Sequence, residues 1–217
     1  MLKAVLFDMD GVIVDTEPLH RKAYHQMFDD VNIDVSLDLY ASFTGQSTMN
    51  ICKRLVGHFN LSETPEYLVS LKRKHYKYFF DNDDLDLIDG VLDRIKDYHT
   101  NNVTMVVASS ASMHGIIQIF ERFDLNQYFS AKFSGADLKQ SKPHPEIFIK
   151  AAESTGFKKS ECIVIEDSTN GIKAAKAANI FCVGFKSEHS SGQDYHLADM
   201  TISNFKEISF ENVIKVL

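Results

Sequence analysis

The hydrophobic pattern of the chain contains four short, uninterrupted apolar segments. They cover residues 4–7, 104–108, 162–165 and 181–184. Runs of this length are typical of parallel β-strands that are covered on both faces. The pattern therefore predicts four buried strands.

Segments with helical periodicity lie between the later strands. One spans about residues 112–123, another follows Pro145, and a third, which is small and rich in alanine, spans about 170–178. The first is expected to bury an apolar stripe of Ile116, Ile117, Phe120 and Phe123. Strands that alternate with helices predict an α/β fold with a doubly wound parallel sheet.

The stretch from about residue 17 to 87 breaks this alternation and contains no convincing strand. Three helical faces can be traced in it: Leu19, Ala23, Met27 and Phe28; Ile51, Cys52, Leu55, Val56 and Phe59; and Leu68, Leu71, His75, Tyr78 and Phe79. We expect about four helices packed as a bundle, followed by an exposed acidic linker at 81–84. The sequence thus predicts a core domain of residues 1–15 and 88–217, interrupted by a helical cap domain of residues 16–87.

Composition narrows the class of protein. The 217 residues are 44% hydrophobic and 24% charged, as in ordinary globular chains, and the formal net charge is −7. An acidic chain repels nucleic acid and anionic membranes, and no apolar run approaches the ~20 residues of a membrane span. The three cysteines are widely spaced, which favours buried thiols over zinc ligands. We expect a cytoplasmic protein that binds neither nucleic acid nor a membrane.

Two acidic clusters follow predicted strands. Asp8 and Asp10 come directly after the first strand, and Glu166 and Asp167 follow the strand at 162–165. Because ligands bind at the carboxyl ends of parallel strands, these groups are candidates for a nucleophile, an acid/base partner and ligands of Mg²⁺. Solvated loop carboxylates are the alternative for the first pair.

Two further polar clusters are candidate phosphate-binding elements. Ser109 and Ser110 end the strand at 104–108, where a hydroxyl and backbone N–H groups can bind an anion, although helix capping by Ser110 or Ser112 is the alternative. Lys142 is held between prolines and offers a positive charge, unless it is simply solvated. Taken together, the four clusters predict a phosphoryl-transfer site at one sheet edge.

This combination resembles the haloacid dehalogenase-like superfamily, in the phosphatase branch that carries a helical cap, and especially the β-phosphoglucomutase-like hydrolases. The resemblance covers nearly the whole chain. It is carried by Asp8-x-Asp10-Gly11-Val12 with Asp15-Thr16, Ser109, Ser141-Lys142-Pro143, and Glu166-Asp167-Ser168 with Gly171. It implies a Rossmann-like core and Mg²⁺ as cofactor.

The resemblance also implies roles for individual residues. Asp8 would be the nucleophile and a magnesium ligand, and Asp10 the general acid/base that also gives its backbone carbonyl to the metal. Asp167 would bind Mg²⁺ directly, and Glu166 directly or through water. Lys142 would hold phosphate oxygens together with Ser109, and it would offset the charge of Asp8.

The substrate contacts of the cap are less well defined. Thr16, His20, Thr44 and Gly45 are the candidates, and His20 matches a related Asp-Thr-x-x-x-His pattern. A position near Asp10 and a packing role within a helix are both open for His20. Gln46 and Met49 are further candidates on the cap.

Two departures bear on the reaction. The mutase branch has a Lys and an Arg near the cap turn where this chain has Thr44 and Thr48, and a Lys-Asn pair where it has Ser112 and Met113. These losses favour hydrolysis of a small phosphorylated metabolite, with a sugar phosphate as the expected class and a monomer as the expected state. A phosphomutase and a non-catalytic phosphate-binding protein are the alternatives.

Overall fold

The computed structural model of the protein describes residues 1–43, 46–187 and 192–217. Contacts divide the chain into two compact units, Met1–Asp15 with Asp86–Leu217, and Thr16–Leu85. We call them the α/β unit and the helical unit. The sequence placed the return to the core at residue 88, whereas the contacts place it at Asp86.

A parallel sheet forms the centre of the α/β unit. Within the described residues it has six strands in the order β3-β2-β1-β4-β5-β6, and every neighbouring pair is parallel. The strands are β1 Ala4–Phe7, β2 Thr104–Ser109, β3 Phe129–Ser134, β4 Cys162–Glu166, β5 Phe181–Phe185 and β6 Met200–Ile202. The predicted doubly wound parallel sheet is confirmed.

Helices cover the sheet in the expected alternation. They are α5 Val91–Thr100, α6 Met113–Arg122, α7 Glu146–Ser154, α8 Thr169–Ala177 and the short α9 Phe210–Val213. Helix α6 buries Ile116, Ile119 and Phe120. The predicted stripe was wrong at Ile117, which is 41% exposed because it lies beside the buried face rather than on it.

The described residues of the helical unit form four helices: α1 Glu17–Asp30, α2 Leu37–Ala41, α3 Thr48–Phe59 and α4 Pro65–Asn82. Their apolar faces meet in a cluster that includes Met27, Phe28, Cys52, Leu55 and Leu68. Two expectations were wrong here. Tyr78 is 61% exposed, and the predicted linker at 81–84 begins later, because α4 continues through Asn82.

Backbone hydrogen bonds join the two points at which the chain leaves the α/β unit and returns to it. The N–H of Asp15 donates to the carbonyl of Asp86 at 3.1 Å, and the N–H of Ile88 donates to the carbonyl of Ile13 at 3.0 Å. Val14 and Leu87 form an antiparallel bridge between these contacts. The two junctions are therefore neighbours in space. No helix among the described residues is long and apolar enough to cross a membrane.

Strand β1 lies at the centre of the sheet and fixes the edge where polar residues gather. It pairs with β2 on one side and β4 on the other, with Phe7 opposite Val107 and Ile165. Since all three strands run in the same direction, the residues that follow them emerge at one edge. This edge carries the polar clusters identified in the sequence.

His20 lies within the helical unit and contacts α4. The Lys72 ammonium donates a hydrogen bond to His20 Nδ1 at 2.5 Å, and the imidazole stacks on Tyr76 with ring centres 4.5 Å apart. Because an ammonium can only donate, Nδ1 must be the unprotonated nitrogen of a neutral imidazole. Burial, with a smaller contribution from the Lys72 charge, lowers the pKa of His20 to about 3.

This contact predicts a pH-dependent stability. The pKa of His20 is about 3 in the folded chain and 6.5 when unperturbed, so the unfolded state binds more protons between these values. Stability should therefore fall as pH drops below about 6.5. The change His20→Gln should flatten that decline in urea unfolding curves measured from about pH 7 to about pH 4.5.

His58 is the matched control, since it is exposed and belongs to the same unit. We expect His58→Gln to keep the decline of the parent chain. An unchanged decline in His20→Gln would show that the titration of His20 does not cause the loss of stability.

Candidate active site

Lys142 lies at the centre of the polar edge of the sheet. Its ammonium donates to Asp8 Oδ1 at 2.5 Å, to Glu166 Oε1 at 2.8 Å and to the Ala108 carbonyl at 3.1 Å. The three acceptors follow or end β1, β4 and β2, and the Lys142 side chain is only 6% exposed. The lysine is therefore a buried cation that joins three neighbouring strands, and a solvated lysine is excluded.

Both oxygens of the Glu166 carboxylate are already engaged by the protein. Oε1 accepts from Lys142, and Oε2 accepts from the N–H and the hydroxyl of Ser168, at 2.7 and 2.9 Å. A Cβ placed on Gly171 would overlap with this carboxylate. Oε2 thus accepts two hydrogen bonds, whereas Oε1 accepts one and keeps a lone pair, so contact of Glu166 with a metal through Oε1 or through water both stay predictions.

Asp10 and Asp167 lie on either side of a tight turn after β1. The Ser109 hydroxyl donates to Asp10 Oδ2 at 3.2 Å, and the N–H of Ala111 donates to the Ser109 oxygen at 3.0 Å. Gly11 has φ +80°, and a Cβ there would overlap with Asp167 Oδ2. Only glycine therefore lets this turn approach Asp167 so closely. Ser109 orients Asp10.

Burial and like charges dominate the electrostatics of Asp8. Burial raises the pKa of Asp8 well above 3.8, Lys142 opposes that rise, and Glu166, Asp167 and Asp10 add to it by repulsion. For Lys142, burial acts to lower the pKa, but the carboxylates of Asp8 and Glu166 outweigh it and raise the pKa above its usual value. The lysine therefore stays charged at neutral pH.

The donor set fits a hard divalent cation. Four carboxylates share this edge with the Lys142 ammonium, and a second cation would relieve the repulsion that raises the pKa of Asp8. In the described part of the chain, no three acidic, histidine or cysteine side chains form a preassembled metal cage. An incomplete oxygen set suits Mg²⁺, which keeps waters and uses one or two carboxylates together with substrate phosphate.

The serines near this edge differ in burial and in hydrogen bonding. Ser109 is fully buried, whereas Ser110 is exposed. Ser112 is the residue that caps α6, accepting from the N–H of Gly115, and Ser168 caps α8 by accepting from the N–H of Gly171. The capping interpretation holds for Ser112 rather than Ser110, whose role in phosphate binding stays a prediction.

The candidate cap residues lie in or near the helical unit. Thr16 precedes α1, is 2% exposed and makes no capping hydrogen bond through its side chain. His20 packs against Lys72 and Tyr76, as described above. Thr44 and Gly45 lie outside the described residues. Substrate contact by any of the four stays a prediction.

Sequence analysis missed two residues that hold the turn after β4. Gln193 accepts a hydrogen bond from the N–H of Thr169 at 2.8 Å, and the Tyr195 hydroxyl donates to the Asp167 carbonyl at 2.8 Å. Neither residue belongs to a motif or a periodic segment, so no pattern pointed to them. Their contacts depend on long-range packing of the chain that follows β5.

The fold and the edge described above define an α/β enzyme whose carboxylates and lysine converge at the ends of parallel strands. The model of the haloacid dehalogenase-like hydrolases matches residues 5–185. Since this match covers most of the chain, the protein belongs to the haloacid dehalogenase-like hydrolase family.

Two curated relatives are phosphatases by name. The phosphorylated carbohydrates phosphatase of Thermotoga maritima is 28% identical over 179 residues, covering 82% of each chain. The fructose-1-phosphate phosphatase YqaB of Escherichia coli is 27% identical over 181 residues, covering 82% of this chain and 94% of the relative.

Solved structures show the same architecture. A β-phosphoglucomutase from Clostridium difficile superimposes with a TM-score of 0.79 at 26% identity, covering 99% of this chain and 96% of the other. A family IA haloacid dehalogenase hydrolase from Entamoeba histolytica gives a TM-score of 0.84 at 22% identity, with 99% of both chains covered. The second comparison supports the fold alone.

The packing of Gly171 against Glu166 predicts a strong effect of a single methyl group. In Gly171→Ala the new Cβ would displace the Glu166 carboxylate and with it the Lys142 ammonium. Overpacking of this kind costs about 1–3 kcal/mol of unfolding free energy. Urea unfolding followed by circular dichroism would measure the loss.

Gly57→Ala is the control, because nothing lies within 4 Å of a Cβ at this helical position. It should stabilise the chain by about 0.5–1 kcal/mol. Equal effects of the two substitutions would contradict the contact between Gly171 and Glu166.

Proposed function

We propose that this protein is a Mg²⁺-dependent phosphomonoester hydrolase that acts on a small phosphorylated metabolite, with a sugar phosphate as the expected class. The observation that carries the proposal is the buried ion pair of Asp8 Oδ1 with the Lys142 ammonium, 2.5 Å apart. A carboxylate is a weak nucleophile, and a fixed cation beside it reduces its repulsion from phosphate. The reaction passes through an aspartyl-phosphate at Asp8.

Asp8 attacks the phosphorus atom, and the leaving alkoxide takes a proton from Asp10. Asp10 then removes a proton from the incoming water, which cleaves the aspartyl-phosphate. Ser109 supports this role because its hydroxyl donates to Asp10 Oδ2 and so orients the carboxyl group. Acid/base assistance of this kind contributes about 10²–10⁴-fold.

Lys142 and Ser109 would bind the phosphoryl oxygens, each by exchanging one of its present acceptors for a phosphoryl oxygen, because the ammonium and hydroxyl protons are all donated within the site. Asp8, Asp167 and the Asp10 carbonyl are the residues that would hold Mg²⁺, with Glu166 contributing directly or through water. The ion, when bound, supplies positive charge that screens the phosphate oxygens. Glu166 also fixes Lys142, which keeps the ammonium beside the nucleophile.

The names of the relatives support a sugar phosphate as substrate. Two of them act on phosphorylated carbohydrates and fructose 1-phosphate, as their names state. The C. difficile structure keeps a phosphomutase as the second candidate. This chain has Thr44 and Thr48 in place of the mutase's Lys and Arg, and Ser112 and Met113 in place of its Lys-Asn pair, and these losses favour hydrolysis. A cytoplasmic location and a monomeric state stay predictions, the former in keeping with three buried, free cysteines.

Removal of the nucleophile should abolish phosphate release. We expect Asp8→Asn to lose activity to background across a panel of sugar phosphates with Mg²⁺, because an amide cannot form the phosphoenzyme. Asp10→Asn should slow turnover by about 10²–10⁴-fold, since the leaving group departs unprotonated. Colorimetric phosphate release measures both effects.

Asp93→Asn is the matched control, an exposed carboxylate on α5 that should leave activity unchanged. Omission of Mg²⁺ with added chelator should abolish release in the parent chain. Full activity of Asp8→Asn would reject the mechanism.

A single substrate separates the hydrolase from the mutase. With β-glucose 1-phosphate and a bisphosphate primer, we expect free phosphate to form in step with substrate loss. The accumulation of glucose 6-phosphate without matching phosphate would instead identify a phosphomutase.

A further inference from the structure

A short segment after β5 holds the turn that carries Asp167. We call residues 193–195 the clasp. Among the described residues, three hydrogen bonds join it to this turn and the start of α8: the N–H of Thr169 donates to Gln193 Oε1 at 2.8 Å, the N–H of Asp194 donates to Thr169 Oγ1 at 2.7 Å, and the Tyr195 hydroxyl donates to the Asp167 carbonyl at 2.8 Å. Main-chain and side-chain groups of the clasp thus engage two successive peptide units of the turn.

The Tyr195 contact acts on a peptide unit that the active site also uses. The Asp167 carbonyl and the Ser168 N–H belong to one planar peptide group. The hydroxyl of Tyr195 holds the carbonyl end, and the N–H end donates to Glu166 Oε2 at 2.7 Å. The orientation of this plane therefore affects both the direction of the Asp167 side chain and the position of Glu166.

Repulsion between neighbouring carboxylates acts to displace the turn after β4. Glu166 and Asp167 are adjacent carboxylates, and Glu166 shares the Lys142 ammonium with the carboxylate of Asp8. A turn that carries such groups needs fixed partners to keep one geometry. Gln193 adds to this because it satisfies the N–H of Thr169 at the start of α8, where no helical carbonyl is available.

Packing gives the Tyr195 ring a fixed position from which its hydroxyl can act. The ring packs, with Ala198, against the buried cluster between the sheet and α7 and α8. The Lys186 ammonium lies 5.6 Å from its ring centre. The hydroxyl is thus attached to a well-held side chain rather than to a freely rotating one.

We propose that Tyr195 is a positioning residue for the metal-binding turn, so that the clasp sets the affinity of the chain for Mg²⁺. The inference rests on the proposed function, in which Asp167 is a magnesium ligand. Tyr195 acts through the Asp167–Ser168 peptide, to whose carbonyl its hydroxyl donates. Partners of this kind, one step behind the ligands, typically change metal affinity by about 10–100-fold.

The test compares two losses of a hydroxyl that donates to a backbone carbonyl. Tyr195→Phe removes the contact with Asp167, whereas Tyr98→Phe removes a contact of 2.7 Å with the Ile208 carbonyl, which does not touch the turn. Isothermal titration of each protein with MgCl₂, without substrate, should show a dissociation constant raised about tenfold in Tyr195→Phe and unchanged in Tyr98→Phe. The increase in Tm caused by a fixed Mg²⁺ concentration should shrink only in Tyr195→Phe.

Gln193→Ala supplies an independent variant of the clasp and should weaken Mg²⁺ binding in the same direction. A folded Tyr195→Phe protein with the Mg²⁺ affinity of the parent would overturn the inference, and a parent chain that binds no Mg²⁺ would overturn it together with the metal assignment. Failure of the proposed function looks different. In that case the parent releases no phosphate from any ester, while the Mg²⁺ titrations still decide the role of Tyr195.

Discussion

The buried ammonium of Lys142 is the interaction on which the rest of the α/β unit's polar edge depends. Carboxylates as buried as Asp8 and Glu166 would be costly if left without a partner, since each would lose its hydration and repel the other. The lysine neutralises part of this charge. It also binds β2, because its ammonium donates a hydrogen bond to the Ala108 carbonyl. Strand order and catalytic charge are thus mutually dependent, because the lysine has its acceptors only where β2, β1 and β4 are neighbours.

The structure gives Glu166 and Asp167, which are adjacent in the sequence, different contacts. Glu166 is committed to Lys142 and to Ser168, so its main effect is to fix the internal cation. Asp167 follows β4 and lies against the turn at Gly11. In the proposed function it binds a second cation, so that two acids adjacent in sequence would support two different positive charges. The difference arises from the alternation of side chains at the end of a strand.

The central part of the fold could be predicted from sequence because its signals are local. Continuous apolar runs marked β1, β2, β4 and β5, and the polar residues directly after them identified the edge. The edge strands β3 and β6 were missed, since their side chains are largely half-buried or exposed and their pattern lacks an apolar run.

The remaining features depend on packing that sequence periodicity does not encode. The position of the Glu166 carboxylate depends on the close approach of α8 at Gly171, and the contacts of Gln193 and Tyr195 join segments more than twenty residues apart. Ile117 shows the limit on a smaller scale. A helical stripe drawn through apolar residues does not tell which of two neighbouring isoleucines faces the sheet.

The closed junction of the α/β unit has a consequence for how this chain can diversify. Asp15 and Asp86 are joined by a hydrogen bond, so the helical segment forms a loop whose ends are already together. Doubling the length of such a loop adds only about 0.6 kcal/mol of closure entropy. A longer or shorter helical segment at this point would therefore cost little closure entropy and would leave the register of β1 and the polar edge of the sheet unchanged.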